Sequence, residues 1–375
     1  TEIYTLSLHD ALPIYDAPGH LLTQTYGNNV VTQRTYQPAT GRLTGILAGA
    51  GNGVQNLVYT YDTLGNLSSR QDKAAGSQES FTYDTLNRLV TYSLQGGGVS
   101  GISTKTVAYD ALGNITAKSD AGSYYYAPNT APHAVTNVTN GPEKAWFHTY
   151  DANGNLIYTA INTLATGQTV ARFEDYTSFN MPKQLRQGAA GQAASVTLDF
   201  VYGPEHQRTK QTSSVLGATY YLNGTDGQGL LYEREIKPNG LVEHKHYIMA
   251  LGSMVALHTT RSDNTKSLRY FHHDHLGSTS VITNESGAVV ERLAYDPWGK
   301  RLYANGGTPA AGYLPQTTDR GFTMHEHLDE MGIIHMNGRI YDPVLGRFMS
   351  ADPDRKSPRL NSSYRIPTRM PSSAL

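Results

Sequence analysis

The chain has 375 residues, of which 37 are glycine and 26 are tyrosine, while charged residues are only 16% against about 25% in ordinary globular chains. Lys+Arg minus Asp+Glu is 30 − 31 = −1 and there is no cysteine, so no global field recruits nucleic acid or an anionic membrane, and disulfides, thiolate zinc sites and cysteine nucleophiles are excluded. No stretch approaches the ~20 apolar residues of a membrane helix, so no membrane span is expected.

In chain order, residues 1–14 (TEIYTLSLHDALPI) and residues 355–375 share none of the patterns found between them. Both resemble translated sequencing adapters and are read as artefactual tails. The division expected is a tail over 1–14, a repeat region over 15–265, a distinct C-terminal block over 266–354 and a second tail over 355–375. Residues 15–354 are then read as an internal piece of a longer protein, without its native N-terminus.

The repeat region is built on one unit. Tyr61-Asp62-Thr63-Leu64-Gly65-Asn66 returns as Tyr83-Asp84-Thr85-Leu86-Asn87-Arg88, as Tyr109-Asp110-Ala111-Leu112-Gly113-Asn114 and as Tyr150-Asp151-Ala152-Asn153-Gly154-Asn155, with weaker copies at Tyr36, Tyr126, Tyr176 and Tyr202. Most intervals between these tyrosines are the size of one hairpin. Asp followed three residues later by Gly is a type I turn in which the carboxylate takes backbone N–H groups and the glycine takes positive φ; Asn66, Asn114 and Asn155 also tolerate a left-handed conformation. Ahead of the first turn, Leu57, Tyr59 and Tyr61 alternate with Val58 and Thr60, the period of a half-buried strand. Each copy therefore reads as a β-hairpin. A lone hairpin is marginal in water, so the copies pair sideways into one long, twisted sheet. The tyrosine rings are expected to pack between neighbouring units while their hydroxyls reach a polar partner. The composition implies a wall with a wet face curling around a polar lumen, without a dense two-layer core. The fold class is thus all-β, a curved spiral sheet. The glycine runs 45–53 and 96–98 read as loops between repeats, and neither leads into a phosphate-binding helix. No Gly-x-Ser-x-Gly elbow is present.

These Tyr-Asp units resemble the repeats of bacterial rearrangement-hotspot (Rhs) and wall-associated proteins, toxin-complex C components and teneurins. The block at the C-terminal side resembles the Rhs-associated core through Asp274-His275-Leu276-Gly277-Ser278, Tyr295-Asp296-Pro297-Trp298-Gly299 and the closing run Arg339 to Pro353 (RIYDPVLGRFMSADP). The resemblance implies a partial hollow β-shell ending in a core plug and enclosing a C-terminal toxin cargo that is absent here. It further implies a secreted or cell-surface bacterial protein partnered by a secretion apparatus.

Asp342 and Asp352, with Arg339 and Arg347 nearby, are the candidate self-cleavage residues: two close carboxylates can share a proton and activate water. The resemblance implies that related cores cut their own chain just downstream. Here Asp354-Arg355 replaces the usual continuation, so the scissile segment is missing and the chain is expected to be non-enzymatic. The alternative for the same residues is structural, with Asp-Pro starting turns and Arg347 pairing with either aspartate. The residues assigned to the repeat turns are Tyr61, Asp62, Gly65, Tyr83, Asp84, Tyr109, Asp110, Gly113, Tyr150, Asp151 and Gly154. His272, His273, Asp274 and His275, and His325, Glu326, His327 and His335, lack helical His-Glu-x-x-His spacing. No metal and no cofactor are expected. A third reading has exposed tyrosines stacking on glycans. An unpaired sheet edge is expected to drive aggregation.

Overall fold

In the computed structural model the described residues are 13–96, 99–127, 131–224, 230–303 and 315–352. Among them there is no α-helix, only two short 3-10 turns at Ala50–Asn52 and Phe322–Met324. A single 25-stranded antiparallel sheet runs from Ile14–Tyr15 to Val289–Arg292. Each strand pairs with its neighbours in sequence, so the topology is an uninterrupted meander. The strand Val99–Tyr109, for example, joins Leu89–Gly96 on one side to Ile115–Lys118 on the other. The all-β, laterally zipped fold expected from the repeat is the one observed. The meander continues through Lys266–His273 and Thr279–Thr283 without a break.

Because consecutive strands are antiparallel, every second turn lies on the same rim, and the Tyr-Asp turns all fall on one rim. The register slips at the tyrosines, between Thr60 and Tyr61, Thr82 and Tyr83, and Thr149 and Tyr150. This is a bulge following a type I turn, a combination that strengthens strand twist. Gly65, Gly113 and Gly154 occupy positive φ at the fifth residue of the unit, and Asn87 takes the same role at φ 61°. The asparagines that follow the glycines do not adopt positive φ. Asn66 and Asn114 instead donate their side-chain amides to the turn aspartate. Of the glycine run 45–53, residues Leu43–Ala48 form a strand. Gly45 tolerates this because its missing Cβ leaves room for Thr35. Of the run 96–98, Gly96 ends a strand, and residues 97 and 98 lie outside the described residues.

The accumulated twist brings the start of the ribbon back onto its end. Asn28 Nδ2 donates to Thr283 Oγ1 at 2.9 Å and to the Asn284 carbonyl at 2.8 Å. Gln55 Nε2 donates to Ser280 Oγ at 2.7 Å, and Arg292 donates to the carbonyls of Gly53 and Val54. Val30, Ala48 and Val54 pack on Val281. No strand ladder crosses this seam among the described residues, so the sheet is not closed by backbone pairing.

From Leu293 onward the chain crosses the concave face. Its small hairpin Ala294–Tyr295/Arg301–Leu302 and four short strands between Glu326 and Phe348 fill the interior. Trp298 and Leu345 join Phe81, Leu89, Tyr92, Ile115 and Trp146 in one apolar cluster. Phe322, Ile334 and Tyr341 join Leu257, Phe271 and Ile282 in another, and Leu328, Ile333 and Ile340 join Leu185, Leu198 and Phe200 in a third. This corrects the expectation of a wet concave wall. Where residues 293–303 and 315–352 lie, the sheet and the plug bury three apolar clusters between them, the favourable outcome for an apolar sheet face that water would otherwise meet. The polar composition misleads because much of the buried inner face is charged and paired.

Candidate functional site

The Tyr-Asp turns form a ladder along the rim. In each, the aspartate accepts backbone N–H groups. Asp110 Oδ1 takes those of Leu112 (2.9 Å) and Asn114 (2.8 Å), and Asp151 Oδ1 those of Asn153 and Asn155. Asp84 takes Leu86 and Arg88, and Asp62 takes Asn66. The tyrosine hydroxyl reaches back to the preceding unit. Tyr61 donates to the Leu43 carbonyl, Tyr83 to Leu67, Tyr109 to Leu89, Tyr126 to Ile115, Tyr150 to Val135, Tyr176 to Leu156 and Tyr202 to Pro182, all within 3.1 Å. The tyrosine thus fastens each hairpin to the one before it through a main-chain acceptor that the bulge leaves free. Asn223 replaces it in the next unit, donating to the Arg208 carbonyl. These rings are half-buried between units. The same turn recurs at Asp274, which accepts Leu276 and Ser278, and at Asp296, which accepts Trp298 and Lys300.

The plug is held to the sheet by side chains that the linear pattern does not reveal. Trp298 is buried, lies 5.6 Å from the buried Lys118 ammonium, and meets Gly346 so closely that a Cβ there would stand 2.7 Å from its ring. Lys118 also pairs with Asp120 at 2.7 Å. Arg320 bridges Glu233 (2.7 Å) and Glu326 (3.4 Å), Arg208 pairs with Glu326, and Arg301 pairs with Asp329 at 2.8 Å. Buried charges of this kind are tolerated only when paired.

The closing signature is distributed over two ion pairs. Asp342 is buried in the turn it starts, with Oδ1 accepting the N–H groups of Val344 and Leu345 and Oδ2 lying 3.6 Å from Arg172. Asp352 is half-exposed and pairs with Arg339 at 3.2 Å, while Arg339 covers the Phe348 ring. Arg347 pairs with neither aspartate. It donates to Tyr126 Oη at 3.2 Å and to the His133 carbonyl. The carboxyl group beside Asp342 is Glu174, which no sequence signal singles out. Burial pushes the Glu174 carboxyl up to about 8, with Arg172 opposing and Asp342 reinforcing the rise. Its Oε2 accepts from Tyr176 Oη, and its Oε1 is buried without a partner. The Met349 carbonyl nearby accepts the Leu156 N–H at 2.8 Å and the Tyr176 hydroxyl at 3.4 Å.

The histidines make packing and hydrogen-bond contacts. His273 Nε2 bonds the Met254 carbonyl, His325 Nδ1 bonds Thr323 Oγ1 at 2.8 Å, His327 Nε2 accepts the Phe322 N–H, and His335 lies against Phe200. Among the described residues no group of His, Asp and Glu is set to hold a metal ion. Nor is any helix there long and apolar enough to cross a membrane.

Against known proteins, residues 252–371 match the model of the teneurin YD-shell. The toxin subunit YenC1 of Yersinia entomophaga is 24% identical over 90% of this chain and 39% of its own length. The double-stranded DNA deaminase toxin A of Burkholderia cenocepacia is 25% identical over 88% of this chain and 23% of its own. This chain therefore spans about two fifths or less of these relatives. The crystal structure of TcdB2-TccC3-Cdc42 superposes over 91% of this chain and 18% of its own, with a TM-score of 0.60 and 18% identity, a likeness of fold. A meander of Tyr-Asp hairpins, curled around a plug that carries the closing signature, is thus similar in sequence to these toxin proteins and to the teneurin YD-shell, and in fold to the TcdB2-TccC3 structure.

Proposed function

We propose that this chain is a structural section of an enclosing shell and that the longer protein uses the shell to hold a C-terminal toxin segment of its own polypeptide. The observation carrying this reading is the seam together with the plug. A ribbon whose two ends meet through side chains, with its own downstream chain drawn across the concave face, is built to separate an inside from an outside. Proteins similar in sequence include toxin proteins. On this reading the chain turns over no substrate, the longer protein is secreted or displayed by a bacterium, and its partners are its own cargo and a delivery apparatus.

The test is protease protection of the longer protein, carried through its natural continuation past residue 353. The downstream segment should survive trypsin while attached and be digested when expressed alone. Equal digestion rates would defeat containment.

A second reading, self-cleavage near the closing signature, draws support from Glu174, whose carboxyl pKa is raised by burial, beside Asp342 and near the Met349 carbonyl. Mass spectrometry of the same longer protein, comparing wild type with Asp342→Asn and Glu174→Gln, separates it from the first. Identical uncut masses would remove it.

A further inference from the structure

The seam is lined by three imidazoles. His272 is buried, its ring 4.6 Å from that of Tyr26, and its Nε2 lies 3.1 Å from Thr283 Oγ1, the hydroxyl that also accepts Asn28. His273 sits behind the carbonyl that receives Gln55, and His275 packs its ring 4.5 Å from Tyr59 while its backbone N–H meets the Tyr59 hydroxyl. The Nδ1 atoms of all three are buried without a protein partner. Arg34 faces His272 and His273, and Arg70, paired with Glu79, faces His275. Asp274 is the acid beside His273, and Tyr26, Tyr59, Tyr270 and Arg292 complete the walls.

We propose that this seam is an acid-operated latch: protonation of His272, His273 and His275 releases the first hairpins from the last, while the meander itself persists. An imidazolium at any of these positions places a buried Nδ1–H without an acceptor, and it adds positive charge next to Arg34 or Arg70. The contacts it breaks are side-chain contacts, because no ladder crosses the seam, whereas every other junction in the ribbon keeps its backbone hydrogen bonds.

The direction follows from linkage. Burial pulls His272 and His275 down to about 3, helped by His273 and Arg34 for the first and by Arg70 for the second, and burial also lowers His273. An opened seam returns them towards the ordinary imidazole value of 6.5. The closed seam is therefore fully favoured above that value and loses ground as pH falls from 6.5 towards 3.

The chain lacks cysteine, so Val31→Cys and Ser286→Cys can carry spin labels on the two sides of the seam in the full chain. A single short inter-label distance at pH 7.5 should lengthen reversibly below pH 6.5, with the far-ultraviolet strand signal unchanged. The double variant His272→Gln/His275→Gln should move the midpoint down by a pH unit or more. Arg34→Gln keeps all three imidazoles but removes a cation, and it should move the midpoint in the same direction even if the double variant fails to close. His206→Gln, stacked on Phe179 away from the seam, should leave it alone. A distance that holds until the strand signal collapses overturns the latch, as does a midpoint indifferent to both the histidine and Arg34 substitutions. The latch deepens the containment reading, but the label distance reports on the seam alone and protease protection on enclosure, so each can fail without the other.

Discussion

Tyrosine recurs in this chain because one side chain does two jobs: its ring fills the gap between hairpins and its hydroxyl satisfies a carbonyl of the preceding unit. Phenylalanine would keep the first and lose the second. Tyr83→Phe, which removes the bond to Leu67, is expected to cost about 1 kcal/mol in urea unfolding, with the slope unchanged. Phe at a position without such a bond should cost much less. Glu174 is the opposite case, a residue whose environment works against its ordinary chemistry. Its folded carboxyl titrates at about 8 against 4.5 for the free group, so the folded chain holds a proton that the unfolded chain gives up. The stability tied to that proton is complete below pH 4.5 and is lost as pH rises towards 8. Glu174→Gln should therefore melt like wild type at pH 4.5 and be more stable at pH 8 by about 4 kcal/mol. Equal melting at both pH values would show that Glu174 is ionised in place.

The plug differs from the ribbon in how it is secured. Hairpins hold one another through ladders and apolar strips, and the loss of one strip is shared with its neighbours. The plug is held at points. Arg320 neutralises both Glu233 and Glu326 in a region where neither acid is exposed. Arg320→Ala leaves two buried carboxylates short of a partner, and about 3–5 kcal/mol is expected from such a break. Trp298→Ala removes the largest fully buried side chain and should cost about 3–5 kcal/mol. The discriminating measurement is amide hydrogen exchange. Either substitution should deprotect residues 293–303 and 315–352 first while strands such as Gln55–Tyr61 and Ser77–Tyr83 stay protected, whereas uniform loss of protection would mean that plug and ribbon form one cooperative unit.

Among the described residues, the ribbon that closes through side chains still has two strand edges. At the first of them, Ile14 and Tyr15 are 56% and 47% exposed, an apolar pair on an open ladder, the arrangement that templates association between chains. The chain is expected to grow in light-scattering mass as its concentration rises, and Ile14→Lys with Tyr15→Lys should suppress that growth. A constant monomer mass in both would show that the edge is already covered.

The hairpins, their pairing order and the identity of the turn residues were readable because they are local. Asp, Gly and Tyr at fixed offsets decide a turn and a bulge within six residues, and repetition then leaves lateral pairing as the outlet for each exposed strand. The signatures at Asp274, Asp296 and Arg339 to Asp352 were equally visible as motifs. What they touch was not. The proximity of Glu174 to Asp342, of Trp298 to Lys118 and of Tyr26 to His272 spans well over a hundred residues in each case. It depends on how far a many-stranded sheet has turned before its ends meet. That angle is a sum of small twists over every strand, so no short stretch encodes it. It decides which buried charges find partners and which part of the concave face the plug covers.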